Sequence, residues 1–181
     1  EFVLFHGDSI GGVLFDEVWR EDAIEGVFPP GVSMVSFARP STLPTLGSVS
    51  ADLNAGVLLA ISHLLACGYE KIFLIDPLPD YEPGQFFLET GRTIYRQLFG
   101  RDLPSNQVAT LHTAAQRRDF LRRLAGSKTR SGLICPEDNL SLSLVRMMRE
   151  SGIPLGKQHG LVSMMGTSAL APGEVTCVRY D

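Results

Sequence analysis

Ser9 is the residue whose type and setting most directly suggest bond-making chemistry. It closes the run Phe2-Val-Leu-Phe-His-Gly-Asp-Ser9, in which a strand-length apolar segment delivers Gly-Asp-Ser. A serine hydroxyl is a nucleophile only when a neighbouring base, usually a histidine, takes its proton. The four histidines, His6, His63, His112 and His159, are scattered and lack metal-ligand spacing, so no metal site is expected. The same Gly-Asp-Ser can simply turn the chain, with Asp8 or Ser9 capping a following helix. Neither Gly-x-x-x-x-Gly-Lys-Ser/Thr nor Gly-x-Gly-x-x-Gly occurs, so nucleotide hydrolysis and dinucleotide redox chemistry lack their phosphate-cradling loops.

The elements that would position such groups alternate regularly. Apolar runs of strand length fall at Phe2 to Phe5, Ser33 to Phe37, Val49 to Ala51, Lys71 to Ile75, Gln107 to Leu111, Gly132 to Cys135, Gly160 to Met164 and Thr176 to Arg179. Several are continuous rather than alternating, which suits strands covered on both faces of a parallel sheet. Amphipathic segments near 13–26, 54–67, 85–99, 113–125 and 139–151 read as helices. Thr113 with Gln116 forms a capping box, Asp138 or Asn139 can cap the next helix, and Gly68, Gly126 and Gly152 can close three of them. Repeated strand and helix units predict a doubly wound α/β fold. The loop from Asp76 to Gly84, with three prolines, follows a strand's C-terminal end, where open parallel sheets place their ligand crevice.

Composition bounds the rest. The chain has 181 residues, 44% of them hydrophobic, and 16 Lys+Arg against 20 Asp+Glu, enough for a core and without a nucleic-acid-binding charge pattern. Arg117-Arg118 and Arg122-Arg123 read as a solvated helix face. Cys67, Cys135 and Cys177 are widely spaced in apolar settings and read as reduced, buried thiols of a cytoplasmic protein. No stretch approaches the about 18 apolar residues of a membrane helix, and the first residues do not form a signal peptide, so no membrane partner is expected.

Two family resemblances follow. Phe2 to Ile10 looks like the first block of the GDSL (SGNH) esterases. That family also needs an Asp-x-x-His block, and the residues three before the histidines are Val3, Ala60, Ala109 and Gly156; its oxyanion-glycine and Gly-x-Asn-Asp blocks have no match either. We therefore expect no catalytic residues and no enzyme.

The second resemblance is broader. Val49-Ser-Ala-Asp-Leu-Asn-Ala-Gly56, the apolar helix with His63-Leu-Leu, Cys67-Gly-Tyr and Lys71-Ile resemble the signature of LacI/GalR effector domains, which runs Val-x-x-Asp-x-x-Ala-Gly, His-Leu-Leu, Gly-His, basic residue, Ile. Gly31 to Pro40, Gly132 to Pro154 and Glu174 to Arg179 resemble further blocks of that family in the same order. The stretch Leu43 to Asp52 is reminiscent of regulators with a GntR-type head.

The resemblance implies a periplasmic-binding-protein type I fold: two doubly wound parallel-sheet subdomains, incomplete in this chain, with a small polar effector in the cleft. The subdomains would be 1–67, with 170–181 returning to it, and 68–169. It also implies a homodimer, DNA contact through a domain absent from this chain, and no cofactor. A periplasmic sugar receptor of the same fold is the alternative.

Expected ligand contacts are Asp138, matching a family aspartate at a strand-to-helix junction, and Asp52, matching the signature aspartate and equally able to cap the helix after it. A carboxylate accepts directed hydrogen bonds from vicinal hydroxyls or ring nitrogens. Tyr81, with Phe86 or Phe87, could stack on a ring. Two departures matter: Leu88 stands where the family has the arginine of Arg-x-x-Gly, with Arg92 a possible substitute, and Met165-Gly166-Thr167-Ser168 replaces Gly-Phe-Asp-Asp.

Overall fold

The computed structural model describes residues 11–15, 21, 24, 26–37, 40–76, 82–166 and 175–180. Phe2 to Phe5, Ser9 and Tyr81 lie outside the described residues. Two compact units, Glu1–Ala51 and Asp52–Asp181, make up the chain.

The first unit carries a three-stranded parallel sheet in the order β1 (Gly12–Phe15), β2 (Ser33–Phe37), β3 (Leu46–Val49). Val13 pairs with Met34, and Met34 with Leu46. Ile24 and Leu46 are its buried apolar residues, with Phe15, Met34 and Leu43 packed against them. Buried Glu21 accepts hydrogen bonds from the Thr42 backbone N–H and hydroxyl.

This corrects two expectations. The segment predicted as a helix near 13–26 begins as β1, because Val13 and Phe15 suit a pleated ladder, Gly11 and Gly12 disfavour a helix, and β2 supplies partners along its whole length. The strand expected at Val49 to Ala51 lies earlier, since Asp52 is the N-cap of the next helix and the residues before it lead into that cap.

The second unit begins with helix α1 (Leu53–Ala66) and holds a five-stranded, wholly parallel sheet. Its order is β5 (Val108–Thr110), β4 (Lys71–Asp76), β6 (Ser131–Cys135), β7 (His159–Ser163), β8 (Thr176–Cys177). Helices α2 (Glu82–Phe99), α3 (Ala114–Ala125) and α4 (Asp138–Glu150) make the crossovers. Strand side chains alternate between faces, so the sheet feeds two cores. Ile72, Leu74 and Ile134 pack with Ile61 and Leu64 of α1 and Phe87 and Leu88 of α2; Phe73, Ile75 and Leu133 pack with Phe120 and Leu124 of α3 and Leu144 and Met148 of α4. The uninterrupted apolar strands thus have the physical cause expected of them. At 25 cal/mol per Å² of apolar surface, each of these large side chains contributes roughly 1.5–3 kcal/mol of transfer free energy.

The grouping differs from a boundary at 67/68: α1 lies with the second unit, and β8 is the edge strand of its sheet, beside β7. Helix ends are largely as read. The Thr113–Gln116 capping box is present in both directions, and Gly68 and Gly152 take φ of +79° and +66° beyond the ends of α1 and α4, a conformation glycine adopts without strain. One cap is not as expected: Glu137, not Asp138 or Asn139, occupies the N-cap of α4, and its side chain makes no capping bond.

Candidate functional site

The strand order locates a crevice. From β4 the chain crosses through α2 to β5 on one side, and from β6 it crosses through α4 to β7 on the other, so connections diverge between neighbouring β4 and β6. At such a switch point the carboxyl ends of the strands are free of overlying helix. Asp76 ends β4 there, and Asp138 opens α4 three residues after β6.

Asp138 is buried, 7% exposed, at the first turn of α4. Its Oδ1 accepts from the Ser163 hydroxyl at the end of β7 and, at 3.2 Å, from the Gly166 backbone N–H. Ser141 lies one helical turn on, its hydroxyl 3.0 Å from Ser163 Oγ and 2.9 Å from the Glu137 carbonyl. Through Oδ1 the carboxylate therefore ties the end of β7 to the start of α4, while Glu137 occupies the N-cap. Negative charge at a helix N-terminus is favourable in either role. Cys135 at the end of β6 and Cys177 in β8 flank the cluster. Burial pushes the Cys135 thiol up to about 11. Cys177 is raised by burial and then by the Asp138 carboxylate, with Arg179 opposing.

A second polar group, not anticipated from the sequence, sits at the ends of β4 and β5. Asp76 Oδ1 lies 3.5 Å from His112 Nε2, and Asp76 Oδ2 lies 3.4 Å from the Thr110 hydroxyl. Asp76 Oδ1 and His112 Nε2 are buried without a hydrogen-bond partner. Such atoms carry a desolvation cost that a donor or acceptor from outside would relieve. The legible signal was Asp76 as the last residue of a continuous apolar strand; its pairing with His112 depends on β4 and β5 being neighbours.

Asp52 caps α1, its Oδ1 accepting from the Ala55 N–H at 3.0 Å. The Asp52 charge also acts on the Tyr180 phenol, whose pKa is raised first by burial and then by that carboxylate. Asp52 and Asp138 thus occupy different elements of the same unit. Arg92 is exposed on α2, one residue beyond Gly91, which packs on the Leu74 side chain, and Leu88 is in the core. Phe87 is core and Phe86 half-buried. His63 Nε2 lies 3.4 Å from Thr176 Oγ1 and 3.7 Å from Cys67 Sγ, tying α1 to β8. All three cysteines are free; Cys67 is exposed rather than buried, because it follows the last turn of α1. Among the described residues no cluster of three metal-ligating side chains occurs, and no helix is long and apolar enough to cross a membrane.

Known structures share this chain's fold. A regulatory protein of the LacI family from Chloroflexus aggregans aligns with TM-score 0.71 at 17% identity, over 94% of this chain and 63% of that one. The fold is that of LacI-family transcriptional regulators. The transcriptional regulator CelR in complex with cellobiose aligns at 0.76 and 22% identity, over 96% of this chain and 55% of its own. A periplasmic binding protein/LacI transcriptional regulator from Alkaliphilus metalliredigens QYMF, complexed with D-xylulofuranose, gives 0.67 and 14% over 93% and 62%. The chain accordingly spans 55–63% of the length of these three structures. No protein-family model and no curated protein sequence matches it.

Proposed function

We propose that this chain is the effector-sensing part of a LacI-like transcriptional regulator, responding to a small, hydroxyl-rich or nucleobase-like ligand. The observation that carries the proposal is the alignment of nearly the whole chain with regulators of that fold, two of them holding sugars. The chemistry of the sheet's carboxyl edge supports it. Asp138 and Asp76, with His112, are a set of acceptors suited to directed hydroxyl or N–H donors. Asp138, Asp52, Tyr81 and Arg92 remain the proposed ligand contacts, and Asp76 and His112 are added to them.

The ligand would occupy a cleft between two lobes and act by differential binding, shifting the equilibrium only as far as it prefers one arrangement of the lobes. A homodimer would pass that preference to a DNA-binding domain, paired half-sites requiring paired readers. The protein would be cytoplasmic and without catalytic activity. A periplasmic sugar receptor shares the fold, and the joint naming of the A. metalliredigens protein keeps it as the second reading.

A calorimetric and thermal-shift screen of the chain against mono- and disaccharides, sugar acids and nucleobases tests the proposal. A true effector raises the melting point as the logarithm of its concentration, and Asp138→Asn or Asp76→Asn weakens it. Absence of any saturable ligand, or affinity indifferent to both substitutions, refutes it. Ligand-dependent operator binding by the full-length protein separates regulator from receptor.

A further inference from the structure

At the opposite edge of the five-stranded sheet, away from Asp76 and Asp138, lies a cavity of about 170 Å³. Lys71 opens β4, Ser131 opens β6, and Asn106 belongs to the 3-10 turn before β5, so the cavity sits where three strands begin. The end of α3 closes it with Phe120, Arg123 and Leu124.

Its floor is the edge-to-face pair Phe73–Phe120, centroids 5.4 Å apart. Over that floor stand two cations: Lys71 Nζ at 4.8 Å from the Phe73 centroid and Arg123 Cζ at 5.8 Å from that of Phe120. No acidic side chain lines the cavity. The ion pairs found among the described residues involve Arg96, Arg122, Arg146 and His112, not Lys71 or Arg123. A lysine ammonium and an arginine guanidinium thus share one aromatic floor, and no carboxylate among the lining residues balances them. Arg123 lies in the last turn of α3, where the helix C-terminus favours a cation without supplying a full counter-charge.

The donor inventory specifies the anion. Ser131 and Ser127 hydroxyls point their protons at the Thr129 carbonyl, at 3.1 and 3.4 Å, and so add no donor. What remains is a planar guanidinium fork, a three-proton ammonium and the Asn106 amide, a convergent set of donors that suits the several oxygens and the double charge of a phosphoryl group. We propose that this cavity is a second binding site, in which Lys71 and Arg123 hold the phosphoryl group of a small molecule above the Phe73–Phe120 floor. The site is chemically unlike the acidic carboxyl edge, so one chain would read a hydroxyl-rich ligand at one end of its sheet and a phosphorylated one at the other.

The test is titration of the chain with inorganic phosphate, no sugar present, against sodium chloride of equal ionic strength, read by thermal shift and by phosphorus-31 line broadening. The expected result is a saturable phosphate response, weakened about tenfold or more in Lys71→Gln and in Arg123→Gln, since one charge-assisted hydrogen bond is worth about 1.5–3 kcal/mol. Arg123 is on the surface, so its substitution leaves the core intact and keeps the comparison meaningful if Lys71→Gln folds poorly. A response equal to that of sodium chloride, or one unchanged in both variants, overturns the proposal. Because sugar is absent, failure here leaves the effector reading untouched, and failure of the sugar screen leaves this site untouched.

Discussion

Gly56→Ala tests how α1 is seated on the second unit. Gly56 is buried in the first half of α1, and a Cβ there would clash with Tyr180 Oη and lie 3.0 Å from both Tyr180 Cε1 and Met164 Cε. Two opposed effects compete. Alanine is favoured over glycine in a helix interior by about 1 kcal/mol, while forcing a methyl into a filled site costs typically 1–3 kcal/mol. Met164 can swing its terminal methyl away, but the Tyr180 ring, half-buried with its hydroxyl unpartnered, must retreat from the core it covers. The net expectation is a loss of about 0–2 kcal/mol in the native background. In a Tyr180→Ala background the clash is gone, so the same change should stabilise by about 1 kcal/mol. Urea unfolding of the four chains of this cycle, followed by far-UV circular dichroism, reads the coupling directly. If Gly56→Ala stabilises equally in both backgrounds, Tyr180 does not pack on α1 as described.

Asp138→Ala should cost about 2–3 kcal/mol, because Ser163 Oγ and Gly166 N–H lose their shared acceptor; Asp138→Asn, which keeps one acceptor oxygen, should cost markedly less, and equal losses in denaturant titrations would contradict the network. Under native conditions near pH 8 a disulfide reagent should modify exposed Cys67 rapidly and Cys135 only after unfolding, since Cys135 is buried with its thiol held near 11; mapping of the labelled peptides decides this. His159 is buried, with Nδ1 unpartnered and its pKa lowered by burial, the bond to the Leu124 carbonyl opposing. The unfolded chain therefore binds a proton below about pH 6.5 that the native chain refuses, so this contribution is full above that pH and is lost as pH falls through it. His159→Gln should flatten that part of the stability profile, and an unchanged slope would show that other groups carry it.

Much of the second unit was legible because its signals are local. Lys71 to Ile75 and Gly132 to Cys135 are too uniformly apolar to face water, and the Thr113–Gln116 box marks its helix without reference to anything distant. The first unit was less legible. Residues from Val13 onward carry an apolar pattern compatible with either helix or strand, and only β2 alongside decides between them. The candidate site divides the same way: Asp138 and Asp52 stand out at strand-to-helix junctions, whereas Ser163, Ser141, Thr110 and His112 have no distinguishing neighbours in the chain.

The linear order of residues determined by itself the α/β class, the parallel character of the sheet, the helix caps at Asp52 and Thr113 and the family resemblance, since these rest on hydrophobic periodicity and contacts a few residues apart. Only the tertiary structure decided that Asp138 bonds β7 rather than capping α4, that Asp76 meets His112, and that Lys71 and Arg123 share a cavity. Those pairings join positions 25 to 52 residues apart, and their geometry is set by strand order and register, which are properties of the folded chain.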